Sequence, residues 1–189
     1  MEPHVMAMKA LTAEEHALDT AFNGGREIIR KTKRAISGIH NGRRDPELID
    51  SISSDLAALC EAVEAFPRVL FGSYIEDAMA EFAETVIYDR ALLGEPVPDY
   101  EVLCVSPSAW TMGLADSVGE LRRDMLARLM DGDADGARRI FSTMESLSDI
   151  LMEFDVKDSV VPIRRKQDIC RGIMEKSRGD LAAAKIMKM

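Results

Sequence analysis

Apolar residues recur every three or four positions along most of the chain, the spacing that places side chains on one face of an α-helix. The first such series, Leu18, Phe22, Ile29, Ile36 and Ile39, predicts a helix over residues 12–40. The sequence TAEE at 12–15 has the form of a capping box and predicts where this helix begins. The sequence NGG at 23–25 favours a bend or break within it. Residues 1–10 lack the periodicity, and we expect them to be loose.

Turn and capping residues divide the rest of the chain into further predicted helices. Asp45 before Pro46, and Ser106 before Pro107, each combine a capping side chain with a proline at the first helical position. The remaining helices are predicted over residues 46–66, 68–92, 107–130, 134–156 and 162–187. No pair of strands is indicated. The sequence therefore predicts an all-α bundle of six to seven helices, forming a single domain over residues 1–189.

Two of the predicted helices carry acidic residues on the side opposite their apolar stripe. On the helix at 68–92 these are Asp77, Glu81 and Glu84, and on the helix at 107–130 they are Asp116, Glu120 and Asp124. Like charges four residues apart, as in Asp116 and Glu120, weaken a helix by about 0.2–0.5 kcal/mol. One interpretation is that these acids simply face water. The other is that the two helices converge on a shared cation, with small residues such as Gly113 leaving room for a sugar-phosphate chain.

The second interpretation has a chemical basis. Clustered carboxylates raise one another's pKa, and a hard divalent cation such as Mg²⁺ or Mn²⁺ removes that conflict. Such a cation can activate a water molecule and neutralise charge on phosphate oxygens. We expect none of the three histidines, His4, His16 and His40, to lie near the acids, which argues against a di-iron bundle. No glycine-rich phosphate loop and no Ser-His-Asp set is present.

Charge is distributed unevenly along the chain. The net charge is −9, which argues against a nucleic-acid partner. However, residues 26–44 carry seven basic residues against one acid, and Arg26, Arg30 and Lys33 share one helical stripe. This stripe is either an ordinary solvated face or a set of phosphate contacts. The sequence shows no signal peptide and no membrane span, so a cytoplasmic protein is expected.

Several longer motifs resemble one known family. The sequences GREIIRKTKRAISGIH (25–40), EFAETVIYDR (81–90), GLADSVGELRR (113–123) and FDVKDSVVPIRRKQDICRGIMEKSRGDL (154–181) are similar to those of translin and translin-associated factor X (TRAX). The similarity extends over nearly the whole chain, and the order of the motifs agrees with the predicted helices. It implies a bundle of about seven helices that assembles into a hollow, closed oligomer, commonly an octamer. It also implies that RNA or single-stranded nucleic acid is held inside.

The TRAX branch of this family has a Mg²⁺-dependent endoribonuclease site. Carried over by motif, the metal-binding and catalytic residues are Glu81, Glu84, Asp116 and Glu120. All four are present, so the resemblance implies a TRAX-like homo-oligomer that cleaves single-stranded RNA, with Mn²⁺ as an alternative cation. The basic residues that we expect to contact RNA are Arg26, Arg30, Lys33, Arg34 and Arg123.

Three rival functions stay open from the sequence. The first is a translin-like shell that binds RNA or single-stranded DNA without cutting it. The second is an all-α nucleoside-triphosphate pyrophosphatase, whose acid pairs also bind Mg²⁺. The third is a structural protein without a ligand, in which the acidic and basic faces are merely solvated.

Overall fold

The computed structural model describes residues 2–187, which form seven helices and, within that range, no strand. In chain order they are α1 (Pro3–His40), α2 (Pro46–Val63), α3 (Pro67–Leu70), α4 (Ser73–Leu93), α5 (Pro107–Met130), α6 (Ala134–Met152) and α7 (Ile163–Met187). The predicted all-α fold is confirmed. Among the described residues, no helix is both long and apolar enough to cross a membrane.

Two helices begin where their capping residues predict. The Asp45 side chain accepts a hydrogen bond from the Leu48 backbone N–H at 3.0 Å, and Pro46 follows as the first residue of α2. The Ser106 hydroxyl accepts one from the Ala109 backbone N–H at 2.9 Å at the start of α5. Each cap satisfies a backbone donor that the helix itself leaves free and stabilises it by about 1 kcal/mol.

The predicted start of the first helix at residue 12 is wrong. Helix α1 begins at Pro3, so residues 3–10, which we expected to be loose, continue the helix although nearly all of them are exposed. Proline suits this position because the backbone N–H of the first helical residue makes no hydrogen bond within the helix, so its absence costs nothing. The Met, Ala and Lys residues that follow favour the helical conformation. The break that the NGG sequence favours does not occur, because α1 runs without interruption through these residues. A Cβ on Gly24 would meet the Leu59 side chain at 2.5 Å, and one on Gly25 would meet the Tyr74 carbonyl oxygen at 2.6 Å. These glycines therefore allow α1 to pass close to its neighbours.

The predicted boundary between the second and third helices is also corrected. Helix α2 ends at Val63, and Pro67–Leu70 forms the separate short helix α3 before α4 begins at Ser73. Pro67 has no N–H to continue the preceding helix, and Gly72 lies in an extended conformation immediately before α4. The helix predicted over 134–156 ends earlier, at Met152.

Helices α4 and α5 form the central pair of the bundle. Helices α1 and α2 pack against α4 and against each other. Helices α6 and α7 pack against α5. Along α4 the predicted stripe supplies Ile75 and Phe82 to the core, and along α5 it supplies Leu114, Val118 and Leu121. The sides of α4 and α5 that carry the acids consequently lie between α1 and α7.

Candidate functional site

The close approach of α4 and α5 is set by Gly113. A Cβ at this position would lie 2.6 Å from the Glu84 backbone nitrogen, 2.7 Å from the Ala80 carbonyl oxygen and 2.8 Å from the Ala83 Cβ. Two of these atoms belong to the backbone, so only glycine permits the contact. Gly113 therefore brings the two helices together. The expectation that it leaves room for a sugar-phosphate chain is wrong, because atoms of α4 fill that space.

The four acids named in the sequence analysis meet across this contact, and all four are half-buried. The pKa of Glu84 is raised to about 8, mainly by burial and also by the charges of Asp116, Glu81 and Glu120, while the charge of Lys166 opposes the rise. Burial also raises the pKa of Glu81, against the opposing charge of Lys33. The two acid pairs thus lie within electrostatic reach of one another. The exposed Asp77 and the partly buried Asp124 flank them.

Each of three acids already has a partner within the chain. Lys166 on α7 donates from Nζ to both oxygens of Asp116, at 2.5 and 2.7 Å. The His40 Nε2 atom contacts a Glu120 oxygen, and Thr32 Oγ1 donates to Glu81 at 3.4 Å. Within residues 2–187, no three His, Cys, Asp or Glu side chains are arranged to hold a metal ion. Three of the four neighbouring acids are thus turned toward partners within the chain.

The expectation that no histidine lies near the acids is wrong for His40. Its ring is almost fully buried, with 6% of the side chain exposed, between Glu120 and Asp124 on α5. Its Nδ1 atom lies 3.2 Å from an Asp124 oxygen and 2.9 Å from the Tyr88 hydroxyl, which itself donates to Asp124. Burial and the hydrogen bond to Asp124 raise the pKa of Tyr88. His40 is the last residue of α1, and its partners lie more than forty residues further along the chain.

Four of the five basic residues that we expected to contact RNA line one groove. This groove, of about 850 Å³, is formed along α1 and includes Arg26, Arg30, Lys33 and Arg34. Lys33 and Arg34 make no ion pair with any described residue, whereas Arg30 pairs with Glu27. The fifth, Arg123, is exposed on α5 and lies outside the groove. Because the charge of Lys33 acts on Glu81, the groove borders the acids.

The chemistry of the donor set fits a hard divalent cation. Carboxylate oxygens are the preferred protein ligands of Mg²⁺ and Mn²⁺, and Glu81, Glu84, Asp116 and Glu120 would provide them. The raised pKa of Glu84 comes first from burial and then from the neighbouring charges of Asp116, Glu81 and Glu120, and both effects disfavour its charged form. A bound cation would therefore stabilise the charged form of these carboxylates.

No protein-family model matches the chain. The chain is 33% identical over 159 residues to the uncharacterized protein MJ0175 of Methanocaldococcus jannaschii, spanning 82% of this chain and 71% of that protein. The crystal structure of AfC3PO is similar with a TM-score of 0.90 and 31% sequence identity, over 98% of both chains. A complex of AfC3PO with duplex RNA has a TM-score of 0.83 and 30% identity over the same shares. The crystal structure of apo-NeC3PO, with a TM-score of 0.85 over 97% of this chain and 98% of that one, is 18% identical and shares the fold.

Fold and site together define an all-α protein in which acid pairs from two central helices meet beside a basic groove. The similarity to C3PO proteins extends over nearly the whole chain. The chain belongs to the translin/TRAX family, and the family resemblance of its motifs is confirmed.

Proposed function

We propose that the protein is a Mg²⁺-dependent endoribonuclease, with Mn²⁺ as an alternative cation, and that it cleaves single-stranded RNA. The observation that carries this proposal is the meeting of Glu81 and Glu84 on α4 with Asp116 and Glu120 on α5, next to a groove lined by basic residues. A similar chain, AfC3PO, was solved as a complex with duplex RNA, which supports RNA as the class of substrate.

In this proposal the acidic residues bind the cation and the basic residues bind the RNA. Glu81, Glu84 and Asp116 would bind the cation, with Glu120 as a further ligand or as the base that orients a water molecule. When bound, the cation lowers the pKa of a water molecule and neutralises charge on phosphate oxygens. Lys33 and Arg34, which have no internal ion pair among the described residues, are free to bind phosphates of the RNA beside the acids.

Cleavage of labelled RNA by the purified protein tests the proposal. We expect cleavage of single-stranded RNA with Mg²⁺, and its loss with EDTA or with Glu84→Gln. Asp77→Asn is the matched control, because it neutralises an exposed acid on the same helix outside the four. Duplex RNA and free nucleoside triphosphates are included as substrates. Cleavage that survives both EDTA and Glu84→Gln would refute the proposed site, and turnover of triphosphates alone would indicate a pyrophosphatase.

A second function is favoured by a specific observation. Asp116 and Glu120 already have internal cationic or hydrogen-bonding partners in Lys166 and His40, and the described residues hold no preassembled metal site. A protein that binds RNA or single-stranded DNA without cutting it fits these contacts. Retention of RNA in a binding assay, with no cleavage by Mg²⁺ or Mn²⁺, would identify this alternative.

We also propose that the active form is a closed homo-oligomer, an octamer as the family resemblance implies. Large apolar side chains are exposed on the single chain, and an assembly would cover some of them. The most exposed are Met130 at 87%, and Phe71 and Ile186 at 72% each. Light scattering is expected to give a mass well above 20.9 kDa, and a mass equal to that of the single chain would refute the assembly.

A further inference from the structure

Lys166 occupies the position in the acid cluster that another cation would need. It lies on α7, in the helical turn that also carries Arg164 and Arg165, and only 25% of its side chain is exposed. Its Nζ atom donates to both oxygens of Asp116 at 2.5 and 2.7 Å. Its charge also acts on Glu84. One ammonium group therefore acts on an acid of α4 and on an acid of α5.

A divalent cation and this ammonium group compete for the same carboxylate. A Mg²⁺ or Mn²⁺ ion binds a carboxylate oxygen at about 2.0–2.2 Å, and Lys166 Nζ lies 2.5 and 2.7 Å from the Asp116 oxygens, so an ion on Asp116 would lie less than about 5 Å from Nζ. Two positive charges at that distance in a half-buried site repel each other strongly. Binding of the ion to Asp116 therefore requires Lys166 to leave it.

The displaced side chain has a new partner available when nucleic acid is present. Lys166 is partly exposed, and the neighbouring Arg164 and Arg165 are exposed, so this turn of α7 is already basic at its surface. A phosphate oxygen is a strong acceptor for a free ammonium group. Nucleic acid that binds Lys166 would thus release Asp116, and an ion that binds Asp116 would release Lys166.

We propose that Lys166 is a built-in counter-cation of the acid cluster, exchanged for a divalent ion when nucleic-acid phosphate takes up the lysine. The inference rests on the proposed function, because it assumes that the acids bind a divalent ion. It adds that the ion and the nucleic acid bind cooperatively. By thermodynamic linkage, each must then raise the affinity of the other by the same factor.

Mn²⁺ binding, measured by electron paramagnetic resonance of the free ion, tests this inference without any cleavage assay. The proteins are the wild type, Lys166→Gln, Lys166→Arg and, as the matched control, Arg165→Gln. The control removes one positive charge from the adjacent, exposed position. Each protein is titrated alone and with a nuclease-resistant 2′-O-methyl phosphorothioate oligonucleotide. Thermal unfolding in EDTA checks that every variant is folded.

Lys166→Gln is expected to bind Mn²⁺ about fivefold more tightly than the wild type in the absence of oligonucleotide. The oligonucleotide should tighten Mn²⁺ binding by the wild type about fivefold and by Lys166→Gln less than about twofold. Lys166→Arg retains the charge and should behave as the wild type. Arg165→Gln should change the affinity by less than about twofold, because the charge that it removes is exposed and screened.

Equal Mn²⁺ affinities for Lys166→Gln and Arg165→Gln would overturn the inference while leaving the metal site intact. An oligonucleotide effect that is the same in the wild type and Lys166→Gln would also overturn it. Absence of Mn²⁺ binding by all four proteins would refute the metal site itself, and the inference with it.

Discussion

Two glycines on the same helix should respond in opposite ways to the same substitution. Gly113 and Gly119 both lie within α5, and both look like helix-weakening residues in the sequence. The structure separates them. A Cβ at Gly113 would run into the backbone of α4, whereas a Cβ at Gly119 would have nothing within 4 Å. We therefore predict that Gly113→Ala destabilises the protein and that Gly119→Ala stabilises it.

The size of each effect follows from these contacts. Alanine gains about 1 kcal/mol over glycine in a helix interior, and at Gly119 nothing opposes that gain. At Gly113 the new Cβ would lie 2.6 Å from the Glu84 nitrogen and 2.7 Å from the Ala80 oxygen, so the two helices must separate. Overpacking of this kind costs about 1–3 kcal/mol or more. Because the clash is with backbone atoms, we place its cost at about 2–3 kcal/mol, so Gly113→Ala should lower the free energy of unfolding by about 1–2 kcal/mol once the helical gain is subtracted.

Urea denaturation in EDTA, followed by circular dichroism at one protein concentration, measures both variants against the wild type. The expected order of transition midpoints is Gly119→Ala above wild type above Gly113→Ala. If Gly113→Ala were as stable as Gly119→Ala, α4 and α5 would not be in close contact at this point. The proposed meeting of the two acid pairs would then lose its structural basis.

Three further outcomes can be measured. Because the pKa of Glu84 is raised from 4.5 to about 8, the folded state binds this proton more tightly, and the free energy of unfolding in EDTA should fall as pH rises between these values. Glu84→Gln should remove this fall, and above pH 8 its free energy of unfolding should exceed that of the wild type by on the order of 2 kcal/mol. Urea denaturation across the pH range measures both proteins. Arg44→Met should cost about 3–5 kcal/mol in thermal or urea unfolding, because it leaves the buried Asp89 carboxylate without its two hydrogen bonds at 2.5 and 2.7 Å; an Asp89→Leu second substitution should recover much of that cost. Lys33→Gln and Arg34→Gln should each weaken RNA binding and reduce the slope of log affinity against log salt by about one, measured by fluorescence anisotropy.

Local chemistry made several parts of the fold predictable from sequence. A helix start depends on a few adjacent residues, so Asp45-Pro46 and Ser106-Pro107 marked the starts of α2 and α5. The apolar stripes were equally visible, because a helix repeats its buried face every three or four residues. The start of α1 was missed, since exposed residues 3–10 carry no buried face and form helix through propensity and an N-terminal proline.

The partners of the acids were not predictable, because they come from distant parts of the chain. Lys166 and Asp116 are separated by 50 residues, and His40 and Glu120 by 80. No spacing rule links such positions, and the basic sequence around Lys166 is as typical of a solvated surface as of an ion pair. The charge of Lys33, which acts on Glu81 from α1, is a further interaction between distant parts of the chain.

These partners also explain how α5 tolerates two acids four residues apart. Asp116 is paired with Lys166 and Glu120 contacts His40, so each of the two carboxylates has its own partner on a neighbouring helix. Burial and the neighbouring acids together raise the pKa of Glu84, so a bound cation would favour the charged form of this carboxylate.

The position of a bound ion tests the central claim most directly. Anomalous diffraction from crystals soaked in Mn²⁺ should show a peak about 2.0–2.2 Å from oxygens of Glu81, Glu84 and Asp116, with Lys166 Nζ moved away from Asp116. If crystals soaked at a saturating Mn²⁺ concentration show no peak between α4 and α5, and Lys166 is still bound to Asp116, the claim is contradicted.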